Sequence, residues 1–254
     1  MDQSLIKLAH QMADTAGDIA RRYYRSGFTT DIKDDASPVT VADRAIEMAL
    51  RNIVEHYRPD DGIVGEEFGV ETSTSGYTWV FDPIDGTKSF TIGRPTFGTL
   101  IALCEGDKPI LGIIDQPILK ERWIGAKGEP TLFNGQPVKT RPCPALARSV
   151  IGTGSASQIG VDLCSQLEES SSYMVYQGDC YFYGLLANGW MDACVEHHLK
   201  VYDYLALVPV IEGAGGKVTD WDGNELTLRS GPTLAAAGDP ALHDYLLTLI
   251  QGNI

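Results

Sequence analysis

Trp79-Val80-Phe81-Asp82-Pro83-Ile84-Asp85-Gly86-Thr87-Lys88-Ser89-Phe90 runs from three apolar residues into two carboxylates, a proline, a glycine and a threonine. The apolar start reads as a strand. Pro83 fixes its own φ, withholds an N–H and keeps Asp82 extended. A strand that ends in a turn here aims Asp82 and Asp85 at one point, with the main-chain oxygen of Ile84 beside them. Gly86 removes a side chain where a ligand must approach. If a helical turn starts at Thr87, the N–H groups of Gly86 and Thr87 face an anion, and the Thr87 hydroxyl can orient a water. A lone Asp-Pro-x-Asp is more simply a capped turn. The strand before it and the upstream Gly65-Glu66-Glu67 change that reading. Crowded carboxylates repel one another unless a hard cation holds them, and Mg²⁺ takes oxygen ligands while keeping waters and substrate phosphate in its shell. The stretch therefore reads as a metal site for phosphoryl chemistry.

Upstream, Leu5, Leu8, Met12, Ala16, Ile19 and Tyr23 recur at steps of three and four and predict an amphipathic helix. Polar residues 27–38 read as an exposed, mobile loop. Thr40 is placed to cap a helix that carries Asp43 in its first turn and continues through Ile46, Leu50, Ile53 and Tyr57. A short strand begins at Ile63 and ends at Gly65-Glu66-Glu67. Strands are predicted over 77–81, 98–104, 109–114 and 122–126, and Asn134-Gly135 marks a tight turn. The proline-rich stretch 141–145 divides the chain into 1–140, a metal- and phosphate-binding half, and 141–254, an α/β half that completes the site. In the second half strands at 150–151, 174–176, 191–195 and 234–237 alternate with helices at 156–167, 181–187, 203–214 and 240–250. Helices between mixed sheets predict a layered α/β or α+β fold.

With 254 residues, 43% of them hydrophobic, the chain can build one large core or two that share an interface. A net charge of −14 argues against nucleic acid or an anionic membrane as a standing partner. A small phosphate ester is still admitted, because bound cations reverse the local field. No apolar run approaches transmembrane length, and the N-terminus lacks the pattern of a signal peptide. The five cysteines are scattered without a CxxC, which points to reduced thiols and a cytoplasmic location.

Gly65-Glu66-Glu67, then Asp82-Pro83-Ile84-Asp85-Gly86-Thr87, then Tyr202-Asp203 ahead of a helix into Gly215-Gly216 resemble the inositol monophosphatase family over nearly the whole chain. The resemblance implies a layered αβαβα sandwich, a homodimer and a Mg²⁺-dependent phosphatase with two or three ions per site, Mn²⁺ being the alternative ion. It implies Glu66, Asp82 and the Ile84 main-chain oxygen as ligands of one metal. Asp85 and Asp203 would complete a second site, with Asp82 bridging the two. Thr87 then helps to activate the attacking water, with Asp43 as its partner, and Lys33 is the basic residue of a loop near a metal. Such metals lower the pKa of a bound water and stabilise the leaving oxygen. Phosphoryl transfer needs mainly positioning and charge stabilisation, so no covalent nucleophile is required.

Inositol-directed members read Asp-Pro-(Leu/Ile)-Asp-Gly-Thr-Thr-Asn-Phe, whereas Lys88-Ser89 stands here in place of Thr-Asn. Stretches 93–103, 177–187 and 199–209 resemble the histidinol-phosphate phosphatase branch, with Val201-Tyr202 where that branch has Pro-Trp. Glu196, seven residues before Asp203, stands where the family has an acid that contacts the organic part of the substrate. Asp179 suits an amine or imidazole; its alternative reading is a helix N-cap. The two acids would form a subsite for a cationic leaving group. L-Histidinol phosphate is the leading expected substrate, with inositol monophosphate or a broader range of sugar phosphates as the runner-up. A nucleotide bisphosphate ranks third because no basic subsite for a second phosphate is evident. A non-catalytic acidic metal-binding protein is the alternative of a different class, and binding alone would not require the Thr87–Asp43 pair.

Overall fold

The computed structural model describes residues 1–27, 30–32 and 38–252. The elements in chain order are α1 (Gln3–Tyr23), β1 (Thr30–Ile32), β2 (Pro38–Thr40), α2 (Val41–Tyr57), β3 (Gly62–Gly65), β4 (Gly69–Glu71), β5 (Tyr77–Asp85), α3 (Thr87–Thr91), β6 (Gly98–Glu105), β7 (Lys108–Gln116), β8 (Glu121–Ala126), β9 (Leu132–Phe133) and β10 (Gln136–Pro137). A 3₁₀ turn at Leu146–Arg148 leads into β11 (Val150–Thr153), α4 (Ala156–Ile159), α5 (Val161–Ser170), β12 (Tyr173–Tyr176), α6 (Tyr181–Ala187), β13 (Ala193–Glu196), α7 (Val201–Tyr204), α8 (Leu207–Gly213), β14 (Lys217–Thr219), β15 (Leu234–Ala237) and α9 (Pro240–Gln251).

The first sheet has the order β10-β9-β8-β7-β6-β5-β3-β4, antiparallel except where β3 lies parallel to β5. The second has the order β12-β11-β13-β15-β14, with β11 parallel to both of its neighbours. Strand alternation feeds two cores. Trp79, Phe81, Ile101 and Leu103 face α1 and α2, whereas Val80, Leu100, Ala102 and Cys104 face α6, α8 and the second sheet. Sheet faces covered on both sides explain the near-continuous apolar runs in β6 and β7. A third core joins the outer face of the second sheet to α5 and α9 through Ile151, Ala193, Leu167 and Leu246. The layers are thus helix, sheet, helix, sheet, helix, as the resemblance implied.

Several local expectations change. Residues 30–32, within the stretch expected as a loop, pair antiparallel with residues 38–40 as the ribbon β1–β2. Lys33 lies outside the described residues. The helix expected over 203–214 is two helices, because Pro209 cannot donate to the Leu205 carbonyl and crowds it. Gly160, at φ 91°, likewise divides the helix expected over 156–167. Asn134 and Gly135, at φ 47° and 80°, form the expected tight turn between β9 and β10. No helix among the described residues is long and apolar enough to cross a membrane. All five cysteines are free and buried.

Candidate active site

β5 does not end at Phe81. It continues to Asp85 with a slip in register against β6, so that Asp82 faces Leu100 and Asp85 faces Gly98. Pro83 and Ile84 on one strand thus stand against Thr99 alone on the other, and Asp82 and Asp85 come to the same side. Pro83, which has no N–H for the ladder, sits in the irregularity, and the Thr99 hydroxyl donates to its carbonyl at 2.8 Å. Gly86 follows at φ 84°, and α3 begins at Thr87. A Cβ at Gly86 would also lie 2.5 Å from Asp179 Cγ, so glycine is required there by both the turn and its neighbour.

Asp203 joins from α7. One carboxylate oxygen each from Asp82, Asp85 and Asp203 lies within 4.8 Å of the others, the one such grouping of His, Cys, Asp or Glu among the described residues. Main-chain donors fix two members: the Cys180 N–H reaches Asp85 Oδ2 at 2.5 Å, and the Lys200 N–H reaches Asp203 Oδ2 at 2.6 Å. Asp82 is buried, and its Oδ1 has no hydrogen-bond partner. Burial, then the charges of Glu66, Asp85 and Asp203, pushes Asp82 well above the usual carboxylate range. Burial and the charges of Asp179 and Asp203 do the same to Asp85. Burial raises Asp203 to about 7 against the Lys200 N–H. An orphaned buried oxygen among mutually repelling acids costs free energy that a divalent cation removes, and three converging carboxylates suit a hard, oxygen-seeking ion.

Glu66 occupies the turn at 66–68 between β3 and β4 rather than the three-carboxylate group, and its charge bears on Asp82 and Asp203. That turn is held by Glu47, a residue given no role on sequence grounds. The buried Glu47 carboxylate accepts the Glu67 N–H at 2.6 Å and the Phe68 N–H at 3.1 Å, and pairs with Arg51 at 2.8 Å. Its sequence signal was an acid on the apolar face of α2, next to Ile46. A Cβ on Gly65 would stand 1.9 Å from Glu47 Oε1. Gly65→Ala is therefore expected to lower stability by about 1–3 kcal/mol and to raise several-fold the metal concentration needed for half-maximal activity. A metal titration of phosphate release beside a thermal melt checks both.

The expected Thr87–Asp43 contact does not form. Thr87 Oγ1 donates to the Ile84 carbonyl at 3.1 Å. Asp43 Oδ2 instead accepts the Thr40 N–H at 2.8 Å and the Thr40 hydroxyl, closing a capping box at the start of α2. Asp43 Oδ1 remains buried without a partner. Burial raises Asp43 to about 6, opposed by its two bonds from Thr40. The helix cap uses Oδ2 alone, and Thr87 does not reach the Oδ1 it leaves over. The Ile84 carbonyl, with two lone pairs, can accept from Thr87 and still face an ion.

A cavity of about 440 Å³ adjoins the carboxylates, with Asp85, Asp203, Asp179, Glu196, Lys88 and Arg94 among its lining. Gly154 and Ser155 line it as well. A larger cleft of about 730 Å³ near Lys127 and Glu212 contains none of the aspartates of the cluster. Asp179 is not the cap of α6; Cys180 holds that position, and the Asp179 carboxylate turns to the Ser89 and Thr96 hydroxyls. Tyr183 donates to Glu196 Oε2 at 2.7 Å, whereas Tyr181 turns away to Glu121. Burial raises Glu196 to about 7, despite the Tyr183 hydroxyl. Lys88 and Arg94 supply the basic wall that the sequence reading did not find.

The model of the inositol monophosphatase family matches residues 1–254. This chain belongs to the inositol monophosphatase family. It is a phosphoric monoester hydrolase. It is 44% identical to the chloroplastic bifunctional phosphatase IMPL2 of Arabidopsis thaliana, over 96% of this chain and 74% of that protein. It is 35% identical to a histidinol-phosphatase of Mycobacterium tuberculosis, over the full length of both. Its fold matches an inositol monophosphatase from Zymomonas mobilis with a TM-score of 0.89 at 46% identity, covering 98% of each chain. These relatives carry different substrate names, so the family membership leaves the choice of ester to the cavity.

Proposed function

We propose that this phosphatase is a Mg²⁺-dependent enzyme of the cytoplasm that hydrolyses L-histidinol phosphate to histidinol and phosphate. The observation that carries the reading is the placement of Asp179 and Glu196 on the wall of the cavity that also includes Asp85 and Asp203. Two acids facing one cavity suit an ester whose leaving group bears an ammonium and an imidazole, and a neutral polyol gains nothing from them. Asp82, Asp85 and Asp203 would hold the metal, with Glu66 and the Ile84 carbonyl at the margin of the cluster. When bound, Mg²⁺ activates a water and neutralises phosphate charge. Thr87, whose Oγ1 donates to the Ile84 carbonyl, would orient that water through its remaining lone pairs. Lys88 and Arg94 reduce the repulsion that a phosphate dianion meets in an acidic cavity. The reduced thiols suit a reducing compartment.

Phosphate release in Mg²⁺ from L-histidinol phosphate, inositol 1-phosphate and fructose 1,6-bisphosphate tests the reading. The expected result is a kcat/KM for histidinol phosphate at least about tenfold above either competitor, a difference of about 1.4 kcal/mol. Glu196→Gln should raise KM for histidinol phosphate more than for inositol 1-phosphate. A wild-type preference for inositol 1-phosphate overturns the substrate, and a bisphosphate preference would point to Lys88 and Arg94 as a second-phosphate site.

A further inference from the structure

Asp179 is held in place with unusual care. Gln177 and Asp179 both sit in the left-handed region, at φ 60° and 49°, on either side of Gly178. Two non-glycine residues in that region are costly unless the surroundings determine them. Their effect is to bring the Asp179 carboxylate against Gly86, at the start of α3, where no Cβ would fit. There Asp179 Oδ2 accepts the Ser89 hydroxyl at 2.5 Å and the Thr96 hydroxyl at 2.9 Å, and the two hydroxyls lie 3.1 Å apart. Both bonds fall on the same oxygen. Asp179 itself lines the cavity. Ser89 is buried, two residues beyond Thr87 on the same short helix. The helix that carries the water-orienting hydroxyl therefore also carries a support of the substrate-facing acid.

We infer that Ser89 and Thr96 are specificity-determining positioning residues: a pair of hydroxyls that clamps Asp179 so that its second oxygen meets the cationic part of the substrate. This rests on the reading of Asp179 as a substrate-facing acid. Neither hydroxyl touches substrate; both act through the carboxylate. Hydrogen bonds to an ionised acceptor are among the stronger ones in proteins and fix direction as well as distance. An Asp179 freed from them can turn along its χ angles and must be re-ordered whenever a cation binds.

The test uses the full-length protein in Mg²⁺ and two matched esters, L-histidinol phosphate and its N-acetyl derivative, which lacks the ammonium charge. Ser89→Ala and Thr96→Val are each expected to raise KM for histidinol phosphate about tenfold, with a change at least several-fold smaller for the acetylated ester and little change in kcat for either. Thr96→Ser, which retains the hydroxyl, should restore the wild-type KM. In an Asp179→Asn background, Ser89→Ala should add nothing for the cationic ester, since its route of action is gone. If Ser89→Ala raises KM equally for both esters, or adds its full effect on top of Asp179→Asn, the clamp is overturned while the substrate reading stands. If the wild type itself fails to prefer histidinol phosphate over its acetylated form, the substrate reading fails first, and the clamp with it. Thermal melts of each variant separate loss of fold from loss of selectivity.

Discussion

Asp82→Asn is expected to abolish phosphate release, by about 10³-fold or more, and at the same time to make the metal-free protein more stable. The first half follows from position. Asp82 is the buried member of the three-aspartate cluster, and its Oδ1 has no protein partner. An amide offers a weaker, neutral ligand and halves the choice of acceptor oxygens. Several kcal/mol of transition-state charge stabilisation are then lost, and about 4 kcal/mol corresponds to 10³ in rate. The second half follows from electrostatics. Without a cation, burial and the charges of Glu66, Asp85 and Asp203 force Asp82 to stay protonated or to ionise at a cost. The amide removes that cost. A gain of about 1 kcal/mol would raise the metal-free melting temperature by about 2–4 °C in a chain of this size. Functional sites commonly carry such a stability cost. The check is paired: phosphate release by the variant, and melting curves of both proteins with EDTA and with excess Mg²⁺. Wild-type-like activity, or a metal-free variant less stable than the metal-free wild type, would remove Asp82 from the centre of the site.

The sequence made the architecture and the acidic cluster legible for the same reason: both are written in short, strong local patterns. Alternation in β5–β8 and the 3.6-residue period of α1 and α2 follow from faces that must be buried. Asp-Pro-Ile-Asp-Gly-Thr compresses a bulge, two ligands and a left-handed glycine into six positions. What stayed hidden depends on packing between distant segments. Glu47 looks like an ordinary helical acid until β3 and the turn at 66–68 fold onto α2. The turn of Asp179 toward Ser89 and Thr96 depends on left-handed backbone angles at Gln177 and Asp179, which the sequence pattern does not announce. Arg94 meets the cavity only because the segment after α3 folds back toward Gln177. The Thr87–Asp43 pair was inferred from a motif, whereas the structure gives Asp43 to the nearer partner, Thr40.

The metal-free protein should lose stability as pH rises from about 4 to about 7, and Mg²⁺ should cancel or reverse that trend. Burial is the leading cause in every group concerned: Asp43 is raised to about 6, Asp203 and Glu196 to about 7, and Asp82 and Asp85 lie well above the ordinary range. In the unfolded chain these carboxyls ionise near pH 4. Between the unfolded and folded values the native state holds more protons than the unfolded one. The slope of unfolding free energy with pH is proportional to protons bound in the unfolded state minus those bound in the native state, so it is negative across this window. Below about pH 4 both states are protonated and the effect disappears. The opposite sign belongs to Asp192, which Arg141 and the Val150 N–H hold below the usual range. Its contribution is present at neutral pH and is lost as pH falls through its folded value. The two tendencies together place the optimum of the metal-free protein on the acid side of neutrality. Metal binding demands ionised ligands, so Mg²⁺ competes with protons and binds more tightly as pH rises. At a hundredfold excess over its dissociation constant it adds about 2.7 kcal/mol, or roughly 5–10 °C. Melting temperatures at half-unit steps from pH 4.5 to 8, in EDTA and in Mg²⁺, give two curves that should meet near pH 4.5 and separate steadily toward pH 7. Parallel curves would mean that the raised carboxyls are not the ones that bind the ion. A metal-free curve that climbs toward neutrality would mean that the acids of the cluster ionise without strain and need no cation to hold them together.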